Sequence, residues 1–199
     1  MSIYYTVDSL ENIARCTVLQ HDPHFLKFDP QAVPIEQVVE GFGLSIDYMR
    51  LRYNKDLLGR MIFNDDVVTY FDVDEDKYKC VEVPARTMLI ESTLLDRPQS
   101  YGRYRFTLAH ELAHWILHKK IFTGDNAEAA LYKTDSRTKN AVEWQANYLA
   151  AAILMPAGAV KRAFHQENTT LNAKIKQLAK IFEVSVEAMR IRVSELGLT

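Results

Sequence analysis

His110 and His114 stand four residues apart with Glu111 beside the first, in the run His110-Glu111-Leu112-Ala113-His114. On a helix, residues at that spacing share one face, one turn apart. Two imidazoles so placed can grip a single metal ion, and the adjacent carboxylate can take a proton from a water beside it. The flanking residues fit a helix built for this. At about 100° per residue, Arg103, Thr107, His110, Glu111, His114 and His118 fall on one arc of about a quarter-turn. The remaining residues from 106 to 117 are apolar. A helix apolar nearly all round with one polar stripe is a buried helix facing a cleft.

A catalytic zinc site keeps three protein ligands and leaves one position open. His118 lies about 12 Å along a straight helix axis from His110, too far to share the ion. A metzincin-type third histidine is excluded, because Leu117 and Lys120 occupy the glycine and histidine positions of that pattern. Two carboxylates remain. Glu143 sits on an otherwise apolar helical stretch with Asn147 one turn on, and Glu128 is its rival in a polar loop. Glu143 is the better candidate. Asn147 can then accept a hydrogen bond from the outer nitrogen of a ligating histidine and fix its tautomer. Glu111 is the expected general base. An oxyanion donor is also needed, and Tyr101, Tyr104, Tyr132, Tyr148 and His165 all remain open for that part.

The rest of the chain must position these groups. It has 199 residues, 48% of them hydrophobic and 25% charged, as an ordinary globular protein has. A net charge of −2 gives no general attraction to nucleic acid or anionic membrane. No apolar run reaches the length of a membrane span. The first residues show no basic region followed by an apolar core. Cys16 and Cys80 form no CxxC and read as reduced thiols. Together these features predict a cytoplasmic protein.

Helices are expected at residues 8–21, capped by Asp8 or Ser9, at 34–43 and at 101–121, and again at 138–156, 156–167, 171–182 and 185–196. One turn of helix is expected within 127–131. Strands are expected at 44–51, 60–64, 67–73, 78–83 and 87–91. The fold class is α+β, with a small, mostly antiparallel sheet packed on the apolar back of the motif helix. The expected organisation is an N-terminal segment at 1–56, a core at 57–156 and a helical segment at 157–199. One sheet edge is a candidate for binding an extended peptide.

Two blocks carry a family resemblance. RFTLAHELAHWILH, followed by EWQANYLAAAILMP, resembles the ImmA/IrrE family of metallopeptidases, which carries R-F-[ST]-x-A-H-E-x-[GA]-H and then E-x-x-A-N-x-[FL]-A-x-x-[IL]-L-M-P. The resemblance implies a zincin-like, gluzincin-type core. It implies Zn2+ on His110, His114 and Glu143, with Glu111 catalytic. It also implies regulation of gene expression by cleaving or inactivating a helix-turn-helix repressor. The strand before the motif reads Ile90-Glu91-Ser92, where many members carry an asparagine, a departure on the substrate-side wall.

An alternative reading is a DNA- or repressor-binding regulator with a structural zinc helix. Residues 171–196 have a helix-turn-helix rhythm, and from residue 161 on there are 7 Lys and Arg against 4 Glu. Arg190 and Arg192 are the donors available for base edges on the second helix. So few donors favour packing or partner recognition over DNA, and the pair at 171–196 is the expected docking surface for a protein partner.

Overall fold

The structure is a computed structural model and describes residues 4–51, 57–96, 98–123, 135–166 and 168–198. Glu128, Tyr132 and the turn expected at 127–131 lie outside the described residues. The architecture is mixed α+β. In chain order the elements are α1 (Val7–His21), α2 (Ile35–Gly41), β1 (Ser45–Met49), β2 (Gly59–Ile62), β3 (Asp66–Asp72), β4 (Lys77–Val83) and β5 (Thr87–Glu91). Then come α3 (Tyr101–Thr123), α4 (Ser136–Leu154), α5 (Ala157–Gln166), α6 (Leu171–Ile181) and α7 (Val186–Glu195).

Local chemistry sets the helix ends. Thr6, rather than the expected Asp8 or Ser9, caps α1: its hydroxyl accepts the Ser9 N–H at 3.2 Å, which leaves Asp8 in the first turn to face the positive helix end. Asp135 caps α4 by accepting from the N–H groups of Arg137 and Thr138. Pro156 follows the last turn of α4 and cannot continue it. Ser185 caps α7 through the Ala188 N–H.

The expected strands are present, but they form two sheets instead of one. In the first, the order is β1-β5-β2, with β1 parallel and β2 antiparallel to β5. All five residues of β5 are buried, as befits a central strand covered on both faces. The second sheet is the β3–β4 hairpin. Its Val68 and Val83 pack with Leu51, Ile62 and Leu89 in a small separate cluster. The pairing of β1 with β5 was not readable from alternation, because register follows from a crossover distant in sequence.

The main core runs from α1 to α7. Leu108 and Leu112 of α3, Leu149 and Ile153 of α4, and Phe182 and Val193 of the last helix pair are completely buried in it. Helix α3 packs on α4 on one side and on β2 and β5 on another. Tyr48 of β1 reaches it through a 2.8 Å hydroxyl–hydroxyl hydrogen bond with Tyr104. Near its start, Gly102 lets the α6–α7 turn approach: a Cβ there would stand 3.2 Å from the Ser185 nitrogen. Among the described residues no helix is long and apolar enough to cross a membrane.

Candidate metal centre

Helix α3 supplies His110 and His114, and α4 crosses it with Glu143 at the same level. One ligand atom from each of the three lies within 4.8 Å of the others. The separations are 3.0 Å between the two histidine Nε2 atoms, 3.4 Å from His110 Nε2 to Glu143 Oε2, and 3.6 Å from His114 Nε2 to Glu143 Oε1. Ligands at zinc–nitrogen distances around a tetrahedral ion sit about 3.3 Å apart. The triangle therefore has the edge lengths such an ion requires.

The outer nitrogens decide which atoms face inward. His110 Nδ1 lies 3.0 Å from Asn147 Oδ1 and donates to it. His114 Nδ1 lies 3.3 Å from His118 Nδ1, and His118 Nε2 lies 3.1 Å from Gln145 Oε1. With Gln145 accepting from His118 Nε2–H, His118 Nδ1 carries a lone pair and accepts from His114 Nδ1–H. Both ligand histidines then aim bare Nε2 lone pairs at the Glu143 carboxylate. Three acceptors converging on one point need a cation between them, so this donor set fits a divalent metal.

In the metal-free chain a proton on His110 Nε2, donated to Glu143, takes the place of that cation. Burial works against a charged His110, but the Glu143 carboxylate and the Glu111 charge outweigh it and raise its pKa. Hydrogen bonds from His110 and His114 hold the Glu143 carboxyl far below the usual range despite partial burial. His118 is pulled down to about 4, chiefly by burial, and is neutral. Burial pushes Glu111 up, against the pull of both ligand histidines. A carboxyl so raised is suited to accept a proton and return it.

Glu111 is held from the side of the sheet. Glu91 N–H donates to the Leu58 carbonyl and Arg86 N–H to that of Ile62, so residues 58, 60 and 62 turn their peptide groups to β5. Those of Gly59 and Met61 face outward. The outward Met61 N–H donates to the Glu111 carboxylate. Strand β2 thus forms one wall of a cleft of about 630 Å³ that reaches Glu111, His114 and Glu143. Phe63 and Phe122, stacked with centroids 4.6 Å apart, stand beside His114 at the other end of that wall.

Other expected positions fall elsewhere. Tyr148 donates to Glu11 on α1, and Tyr104 is buried against Tyr48. Tyr101 stacks on Tyr104, and His165 rests edge-on to Phe164. None of these four lines the cleft. Glu91 does not line the cleft either. Fully buried, it accepts from the N–H groups of Leu51 and Thr93 and faces Arg50, holding the end of β5 to the chain after β1. Arg192, expected as a donor for DNA, is completely buried on Glu11 and the Met155 carbonyl and cannot reach a base. On sequence grounds His118 is weighed only as a ligand and Gln145 has no role; the sequence does show a histidine four residues after His114 and an amide two residues after Glu143.

Comparison with known proteins adds a family and a fold. The peptidase family M78 model, described as the IrrE N-terminal-like domain, matches residues 67–194, more than half of the chain. No curated protein matches. A solved structure described as a Mycobacterium tuberculosis transcriptional regulator is similar in fold, with a TM-score of 0.57 at 18% identity. The match covers 96% of this chain and 47% of the other, so this chain spans about half the length of that protein.

Proposed function

The chain belongs to the peptidase family with the IrrE N-terminal-like domain, and on that premise we propose that it is a zinc-dependent endopeptidase acting on a helix-turn-helix repressor. The observation that carries the reading is the convergence of His110, His114 and Glu143 next to a buried Glu111. On this reading residues 57–156 are a zincin-like peptidase core, 1–56 its N-terminal part and 157–199 a helix-turn-helix-like helical segment.

Zinc held by the three ligand atoms supplies Lewis acidity toward a scissile carbonyl and an attacking water. The protein's own groups do the rest. Glu111 takes the proton of the water at its carboxylate and returns it to the leaving amine. The Met61 N–H holds that carboxylate in place. Asn147 keeps His110 from turning. The outward groups of β2 not spent on Glu111, at Gly59 and the Met61 carbonyl, offer an extended substrate a strand partner along the cleft. A helix interior cannot supply such a segment without local unfolding, whereas a linker or frayed helix end can. The substrate is then cut once, in an exposed connection between its DNA-binding and dimerising parts. Such a protease works among cytoplasmic regulators, and partner recognition falls to the exposed face of α6 and α7, where Ile191 and Val186 are uncovered.

The alternative of a DNA-binding regulator is disfavoured by the burial of Arg192. The test is incubation of the zinc-loaded chain with helix-turn-helix repressors of the same genome, and separately with unfolded casein. One dominant cut in one of the repressors is expected. Casein degraded at many sites with every repressor intact would end the proposal.

A further inference from the structure

Helix α3 carries a third histidine one turn beyond the two ligands, and it is fully buried. Packing alone gives no reason for an imidazole there, since leucine would fill the space without two polar nitrogens to satisfy. Both nitrogens of His118 are spent on one line that begins at the buried amide of Gln145 and ends at His114 Nδ1. Among the described residues the line runs through neutral side chains alone.

The polarity of the line has a consequence for the site. If Gln145 Oε1 accepts, protons sit on His118 Nε2 and His114 Nδ1, and His114 Nε2 is bare. If the line ran the other way, His114 would carry its proton on Nε2, in the middle of the ligand triangle. A neutral imidazole held by an amide oxygen sets the first arrangement without adding a negative charge near Glu111 and Glu143. His110 receives the same treatment from Asn147, so both ligands are oriented by neutral acceptors instead of the carboxylates often found in this position.

We propose that His118 and Gln145 are positioning residues that fix the ring and tautomer of His114 for metal binding, while neither touches the metal. The inference rests on the metal-centre reading above. The test is zinc affinity by competition with a chromophoric chelator, for the full chain and for His118→Leu, His118→Gln and Gln145→Leu. The cobalt(II)-loaded absorption spectrum and the metal-free unfolding temperature of each protein are recorded alongside.

His118→Leu is expected to lose about 10–100-fold in zinc affinity. His118→Gln keeps an acceptor for His114 and a donor for Gln145, and should recover most of that loss. Gln145→Leu should weaken zinc in the same direction, and the cobalt spectra of the two leucine variants should shift together. The metal-free unfolding temperatures should show no matching order. Should His118→Leu fail to fold, Gln145→Leu against His118→Gln carries the comparison. Wild-type affinity in either leucine variant, or a His118→Gln as weak as His118→Leu, overturns the proposal. A wild-type chain that binds no zinc overturns the metal centre itself, and this inference with it.

Discussion

Gly59 lies so close to Glu111 that a Cβ on the glycine would stand 3.0 Å from the glutamate Cγ and Oε1, and 2.6 Å from Thr107 Cγ2. The glycine is what lets strand β2 press against the Glu111 face of α3 and bring the Met61 N–H to the Glu111 carboxylate. Gly59→Ala must push the strand away or turn the glutamate. Overpacking of this kind costs about 1–3 kcal/mol. The expected outcome is a chain that keeps its zinc, because His110, His114 and Glu143 are untouched, and loses most peptide hydrolysis. Zinc content and turnover measured on the same preparation check it. Unchanged turnover would show that Glu111 does not depend on the strand.

The ligand set makes a graded prediction. His114→Ala and Glu143→Ala each remove one of three converging atoms and should abolish stoichiometric zinc. Asn147→Ala releases only the outer nitrogen of His110, so a loss of about 10–100-fold in affinity is expected. Glu111→Gln should bind zinc and fail to hydrolyse. Metal analysis after gel filtration reads the first three, and cleavage of the partner reads the fourth. Zinc retained in Glu143→Ala would remove Glu143 from the site.

Much of this arrangement was legible in the chain because it is helical and local. The stripe from Arg103 to His118 follows from residue spacing alone, and the facing pair Glu143 and Asn147 follows from a second helix. What was not legible depends on contacts distant in sequence. The role of Glu91 is set by Leu51, which reaches it only because β1 pairs with β5. The burial of Arg192 is set by Glu11 at the opposite end of the chain. A helical-wheel reading of α7 assigns an arginine to the surface by default, and no local signal corrects it.

Metal uptake should release protons. In the metal-free chain the pKa of His110 is raised above its ordinary value of 6.5, so near neutral pH and below a metal must displace a proton there. Glu143 is held far below the usual carboxylate range and contributes none. Zinc affinity is therefore expected to climb from about pH 5 to about pH 8 and then level off. Calorimetric titration in two buffers of different ionisation enthalpy reads the released proton directly. A proton count of zero at pH 6 would contradict the convergence of His110 on Glu143.

The last prediction concerns Arg192, whose guanidinium is fully buried and paired in two-pronged fashion with Glu11, at 2.7 Å and 3.0 Å. Tyr148 also donates to this carboxylate, so one ion pair ties α1, α4 and α7 together. Glu11→Gln removes the two-pronged negative partner and leaves the buried cation with Glu195 alone, 3.7 Å from its Nη1. That loss costs about 3–5 kcal/mol, which for a chain of this size lowers the unfolding temperature by roughly 6–20 °C. Burial alone would raise the Glu11 pKa, but the Arg192 hydrogen bond and charge outweigh it, and the folded value lies below the ordinary 4.5. A carboxylate with a depressed folded pKa contributes stability that is fully present above the unfolded value. It is lost as pH falls from there through the folded value. The wild-type chain should therefore lose stability steeply below about pH 4.5, and Glu11→Gln should lack that part of the slope. Because the pair's contacts run to Tyr148, the Met155 carbonyl and Glu195 and not to His110, His114 or Glu143, zinc affinity in Glu11→Gln should stay near wild type at neutral pH and low temperature. Thermal unfolding followed against pH for both proteins decides it, and equal unfolding temperatures at neutral pH would show that the pair holds nothing together.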